Sequence, residues 1–114
     1  MAIVSNLTVD QGATFNAQID ITDDSGNAQN LTGYSVAGQI RKTYDSTTFT
    51  AFSASVSNAT GGTITISLTA TQTNALAAGR YVYDVEISFV DTDNNVIIER
   101  VLEGKIKVNP SVTR

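Results

Sequence analysis

The chain has 114 residues, 41% of them hydrophobic and 16% charged, which suits one globular domain over 1–114 and excludes a chain disordered by composition. With no His, Cys or Trp it has no disulfide framework and no thiolate metal site, and it lacks most groups that do acid–base or nucleophilic chemistry near neutral pH. Its net charge of −4 arises in the first forty residues, which carry Asp10, Asp20, Asp23 and Asp24 but no Lys or Arg; without a basic stripe, no nucleic-acid partner is expected.

The first segment, with Ile3, Val4, Leu7 and Val9, is apolar without clean alternation. Residues 1–10 read either as a first strand or as an N-terminal assembly arm that adds to a neighbour's sheet edge. Those four residues are the candidate assembly interface. Phe15, Ala17, Ile19 and Ile21 then alternate with polar residues, the period of a strand with one buried face. Asp23 to Asn27 is a turn. Tyr34, Val36, Gly38 and Ile40 share the face of a further strand, and Gly38 marks a bulge or a close backbone approach.

Residues 45–60 are less regular; Phe49, Phe52, Ala54 and Val56 suggest one strand, kinked between the two Phe residues. Gly61-Gly62 breaks it, and Ile64, Ile66 and Leu68 form the next alternating strand. Residues 70–78 are the helix-like stretch, with Thr69 or Thr71 placed to cap it and Gly79 to end it in the left-handed region. Tyr81, Tyr83, Val85, Ile87 and Phe89 follow on one strand face, opposite Asp84 and Glu86. The two tyrosines read as core residues with hydroxyls at the edge, the alternative being a sugar-stacking platform. Asp91 to Asn95 turns the chain into a long last strand, Val96 to Val108, with Leu102, Gly104, Ile106 and Val108 on one face. Ile97 and Val101 fall off that register, which predicts a bulge near Gly104.

The fold expected is all-β: an immunoglobulin-like antiparallel β-sandwich with one short helical crossover near residues 70–78, a small barrel being the alternative. No apolar run approaches the ~18 residues that span a bilayer. The opening Met-Ala-Ile-Val-Ser lacks a basic n-region, so neither a membrane partner nor a signal peptide is expected.

Three groups of carboxylates invite chemistry. Asp91-Thr92-Asp93-Asn94-Asn95 opens like a calcium loop, yet the sixth and twelfth positions that should be Gly and Glu are Val96 and Leu102, so it reads as a turn. Asp23 and Asp24 could hold a cation with another loop, although no spacing requires it. Asp84 and Glu86 share a face as a paired-acid site would, but suit a solvated face paired to Lys or Arg. No catalytic residue, cofactor, metal or small-molecule substrate is expected.

Five stretches stand out together: Leu31-Thr32-Gly33-Tyr34, Gln39-Ile40-Arg41-Lys42, Gly62 to Leu68, Leu76 to Val85, and Leu102 to Val108 continuing to Val112-Thr113-Arg114. In their order and spacing they resemble a family of small virion structural proteins of tailed bacteriophages, Ig-like or baseplate-upper-protein-like tail modules. Residues 43–60 match no pattern. The resemblance implies a non-enzymatic structural component made in the host cytoplasm and held in the virion. Its partners would be other virion proteins and copies of itself in a symmetric assembly. A tail, baseplate or fibre-attachment module is the first expectation. A capsid decoration protein and a carbohydrate-binding adhesin module are the alternatives, and among the aromatics only Tyr44 reads as free for an adhesin.

Overall fold

A computed structural model describes residues 3–23 and 25–112. In chain order the elements are β1 (Ile3–Val4), β2 (Leu7–Asp10), β3 (Phe15–Asp20), β4 (Ser35–Arg41), β5 (Thr50–Ala51), β6 (Ser53–Asn58), β7 (Thr63–Leu68), α1 (Ala70–Ala75), β8 (Gly79–Val90) and β9 (Val96–Asn109). They form an Ig-like β-sandwich. One sheet runs β1-β9-β8-β4-β5 with β2 also on β9, and the other runs β3-β7-β6.

The alternation read from the sequence sets which face is buried. Ile64, Ile66 and Leu68 of β7 meet Ile40, Val85, Ile87 and Ile106 of the larger sheet, all fully buried. Burying each such side chain contributes about 1.5–3 kcal/mol, which makes this contact the main source of cohesion. At the end of β8 near α1, the Tyr81 hydroxyl donates to the Ala77 carbonyl at 2.8 Å. This is the tyrosine corner of Ig-like sandwiches. Tyr81 and Tyr83 are both core residues.

Helix α1 carries the chain from the small sheet to the large one. Thr69 caps it, with Gln72 completing a capping box. It ends at Ala75, earlier than expected, because Leu76 turns extended and buries its side chain; Gly79 instead opens β8. Thr73 is fully buried, and its hydroxyl donates to the Ala13 carbonyl (2.9 Å) and accepts from the Gly12 amide (3.1 Å). The turn after β2 is thereby fastened to the helix.

Three features differ from the strand pattern expected. Residues 45–60 hold two strands rather than one, because Phe52 turns inward between the layers and the chain changes sheets there. The space Phe52 fills is provided by Gly38, where a Cβ would lie 3.0 Å from both the Phe52 ring and the Asp84 carbonyl. The bulge in β9 sits at Val101, not Gly104: Val85 pairs with Leu102 but Glu86 with Arg100, so Val101 and Leu102 both point into the core. Finally, β1 and β2 run parallel to β9, an addition to the otherwise antiparallel sandwich.

Gly104 lies under the crossing from β1 to β2. A Cβ there would sit 2.1 Å from the Ser5 carbonyl oxygen, so only glycine lets the Ser5-Asn6 link lie this close to β9. Three hydrogen bonds hold that link. Ser5 N–H donates to the Glu103 carbonyl (2.9 Å), Lys105 N–H donates to Asn6 Oδ1 (3.1 Å), and the Tyr83 hydroxyl donates to the Ser5 carbonyl (2.6 Å).

Candidate functional site

Two regions leave the body of the sandwich with unsatisfied surface. One is the far end of the β8–β9 hairpin. Strand β4 stops at Ser35, opposite Ser88, and β1 starts at Ile3, opposite Leu102. Beyond those points the hairpin runs on as a two-stranded ribbon, in a molecule measuring 49 × 28 × 22 Å. It carries Val90 (59% exposed), Val96 (63%), Ile97 (41%) and Ile98 (61%). Val90, Val96 and Ile98 lie on the outer face and Ile97 on the other, where Tyr34 stacks on its cross-strand partner Phe89 at 4.8 Å between ring centroids. A free ribbon of this kind is marginally stable in water, and apolar side chains on both of its faces lower its solubility further.

The Asp91 turn at the ribbon's tip is built for shape. Asp91 Oδ1 accepts from the Asp93 and Asn95 amides (3.0 and 2.9 Å), and Asn94 adopts φ of 66°. That is the three-residue hairpin loop with a left-handed residue, stabilised by an Asx side chain. Asp23 does the same for Ser25 and Asn27. Its neighbour Asp24 lies outside the described residues. Among the described residues no three His, Cys, Asp or Glu gather where a metal could bind.

The second region is the solvent face of the large sheet, whose charges are sorted along the strands. Nearest α1, Arg80 lies directly across from Lys107, and the next row holds Arg41, Val82 and Lys105. Arg80, Lys105 and Lys107 border a depression of about 260 Å³ and have no ion-pair partner among the described residues. Of the next two rows one is acidic, Asp84 across from Glu103, and one is mixed, Glu86 across from Arg100. Arg100 bridges Asp84 (3.4 Å) and Glu103 (3.2 Å). Asp84 and Glu86 are therefore part of a charged, wet face with an arginine beside them, as the solvated-face reading expected. This acidic stretch floors a depression of about 380 Å³ that Tyr44 overhangs. Like charges directly opposite on a strand pair are unfavourable; Arg100 bridges the Asp84–Glu103 pair, while the Arg80–Lys107 pair has no such counter-ion among the described residues.

The N-terminal segment divides. Val9 is 1% exposed and Leu7 packs against the same core, because β2 pairs with β9 and turns both inward. Neither offers an assembly surface, and the segment is an intramolecular strand pair along its described length. Ile3 (45%) and Val4 (71%) remain on the surface. The hairpin residues were not singled out from sequence. Their signal was the consecutive Val96-Ile97-Ile98, since a strand with three apolar residues in a row cannot hide them all on one face. Tyr44 is 81% exposed, as expected, while Phe49 holds the Arg41 guanidinium 5.0 Å from its ring centroid.

Comparison with known proteins agrees with this architecture. Among solved structures, murine CRIg is similar over 91% of this chain and 92% of its own, at 18% identity and a TM-score of 0.50, which shows the fold alone. AggA, the major subunit of aggregative adherence fimbriae type I from Escherichia coli, is similar over 93% and 89% at 13% identity and a TM-score of 0.43. No curated protein matches the chain in sequence. Residues 2–109 match the family model described as an LtfC-like, beta-sandwich domain.

Proposed function

Because the chain belongs to the LtfC-like β-sandwich family, a phage-associated family whose namesake is a phage tail-related protein, we propose that it is a non-enzymatic structural component of a tailed-phage virion. It works as a tail, baseplate or fibre-attachment module through protein–protein contacts. The observation that carries this reading is the ribbon beyond Ser88, with four apolar side chains exposed on two faces. Covering each of these half-exposed side chains contributes roughly 1 kcal/mol. Repetition by symmetry multiplies that gain across a particle. Its partners are neighbouring virion proteins and copies of itself, and Ile3 and Val4 add a smaller apolar step beside β9.

The test is to label the protein in purified phage particles and locate it by electron microscopy. Label along the tail or at the baseplate supports the reading. Label over the head makes it a decoration protein, and absence from particles removes the virion assignment.

A further inference from the structure

The solvent face of the large sheet has three zones in order along β8 and β9. At the α1 end are the cations Arg80, Lys105 and Lys107. In the middle are the acids Asp84, Glu86 and Glu103 with Arg100 among them, and at the hairpin end are the exposed apolar residues Val90, Val96 and Ile98. Past the cations, the end of the molecule presents the exposed small residues Ala77 and Ala78 and, from the other strand, Pro110.

This order is self-complementary. A two-fold axis lying across the strands, between the Val82–Lys105 row and the Asp84–Glu103 row, lays one such face antiparallel on another. It sets Arg80 of each copy against Glu86 of the other and Lys105 against Glu103, and it brings Lys107 over Arg100, the one like-charge contact among these rows. The same operation carries each apolar hairpin over the Ala77-Ala78 and Pro110 end of its mate. An isologous contact requires that a residue's partner is returned by the same operation, and the zones satisfy it.

We propose that the solvent face of the β4–β8–β9 sheet docks a second copy of this chain, antiparallel, with the cationic end of each face on the acidic middle of the other. This deepens the assembly reading above by naming the partner of the face and hairpin. Charge complementarity selects the occupant: Arg80 and Lys105, which have no ion-pair partner among the described residues, each gain a carboxylate, and these four contacts outweigh the two Lys107–Arg100 approaches. The overlap spans ~40 Å along the strands, hairpin included, by ~15 Å across three strands, hence ~600 Å² per copy. That is the low end for a specific interface, so the dimer is weak and salt-sensitive.

Sedimentation of the full chain over a concentration series tests this. A monomer–dimer equilibrium is expected, with a dissociation constant that rises about tenfold between low and high salt. Arg80→Glu and Glu86→Arg should each weaken association at least about tenfold, since each contact occurs twice. Mixing the two variants should restore a heterodimer, because one Arg80–Glu86 contact keeps its native residues in the mixed pair and the other re-forms with its signs exchanged. The double variant should likewise recover association. Arg80→Glu also faces Lys107 within its own chain, so its melting temperature should hold or rise, which separates lost docking from lost folding.

A chain that is monomeric at every concentration and salt overturns the proposal. So does a dimer that ignores both charge reversals, or variants that fail to rescue each other. None of these results bears on particle labelling, so the virion reading can stand where this one falls.

Discussion

Gly104→Ala tests the close approach of the N-terminal crossing to β9. The added Cβ would meet the Ser5 oxygen at 2.1 Å and the Ser5 carbonyl carbon at 2.8 Å. Both are backbone atoms, so no side chain can swing aside and the whole Ser5-Asn6 link must lift. Lifting it breaks the bonds from Ser5 N–H to Glu103, from Lys105 N–H to Asn6 and from the Tyr83 hydroxyl to Ser5. At about 1 kcal/mol net for each bond, the loss is ~3 kcal/mol. Urea denaturation measures it, and amide exchange should show β1 losing protection before β7. The sharper measurement is a cycle with Asn6→Ala, which costs ~1 kcal/mol alone but close to nothing when added to Gly104→Ala, because its bond is already gone. A loss below ~0.5 kcal/mol for Gly104→Ala, or full additivity with Asn6→Ala, refutes the reasoning.

The remaining expectations are single measurements. Tyr81→Phe removes the 2.8 Å bond to Ala77 and should lower stability by ~1 kcal/mol in denaturant melts. Thr73→Val keeps the shape of a fully buried side chain but strands the Gly12 amide and the Ala13 carbonyl, and should cost ~2 kcal/mol by the same assay. Burial pushes the Tyr83 phenol up to about 12 from its ordinary 10. A raised folded-state value means that this group's stabilisation is complete below about pH 10 and is lost as pH rises toward 12. Wild type should therefore lose stability over that window relative to Tyr83→Phe, and parallel pH curves would count against it. Ile98→Asp, on an exposed ribbon, should shift stability by less than ~0.5 kcal/mol yet remove the chain from particles, which particle proteomics reads directly.

Strands with one buried and one wet face were legible because their side-chain period is fixed by the pleat. The patterns at Phe15–Ile21, Tyr34–Ile40, Ile64–Leu68 and Tyr81–Phe89 all lead to the observed sandwich. What failed to show was long-range pairing. Nothing local in Ile3 to Val9 says that its partner is the last strand of the same chain, a hundred residues away, running parallel. Phe49 to Val56 read as one strand because a change of sheet alters no local preference; only the space above Gly38 draws Phe52 inward. Gly104 was marked for the wrong reason. A glycine in a strand signals close approach or a bulge alike, and here the bulge is at Val101 and the approach at Gly104.

The hairpin's exposure follows from where the bulge falls. Up to Val101, the edge of β9 is covered by β2 and β1. From Val96 to Arg100 no described strand pairs with that edge, and it carries neither Lys nor Pro, the residues that most often block an exposed strand from pairing. The bulge lies at the boundary between the covered and open parts of β9. Closing the ribbon onto the core would require β3 or β6 to extend past it, but β3 ends at Asp20 and β6 at Asn58. Among the described residues, Val90, Val96, Ile97 and Ile98 stay exposed. On the proposed reading their burial comes from another chain, and the sheet that supports them presents, along the same strands, the zones of charge that set that chain's register.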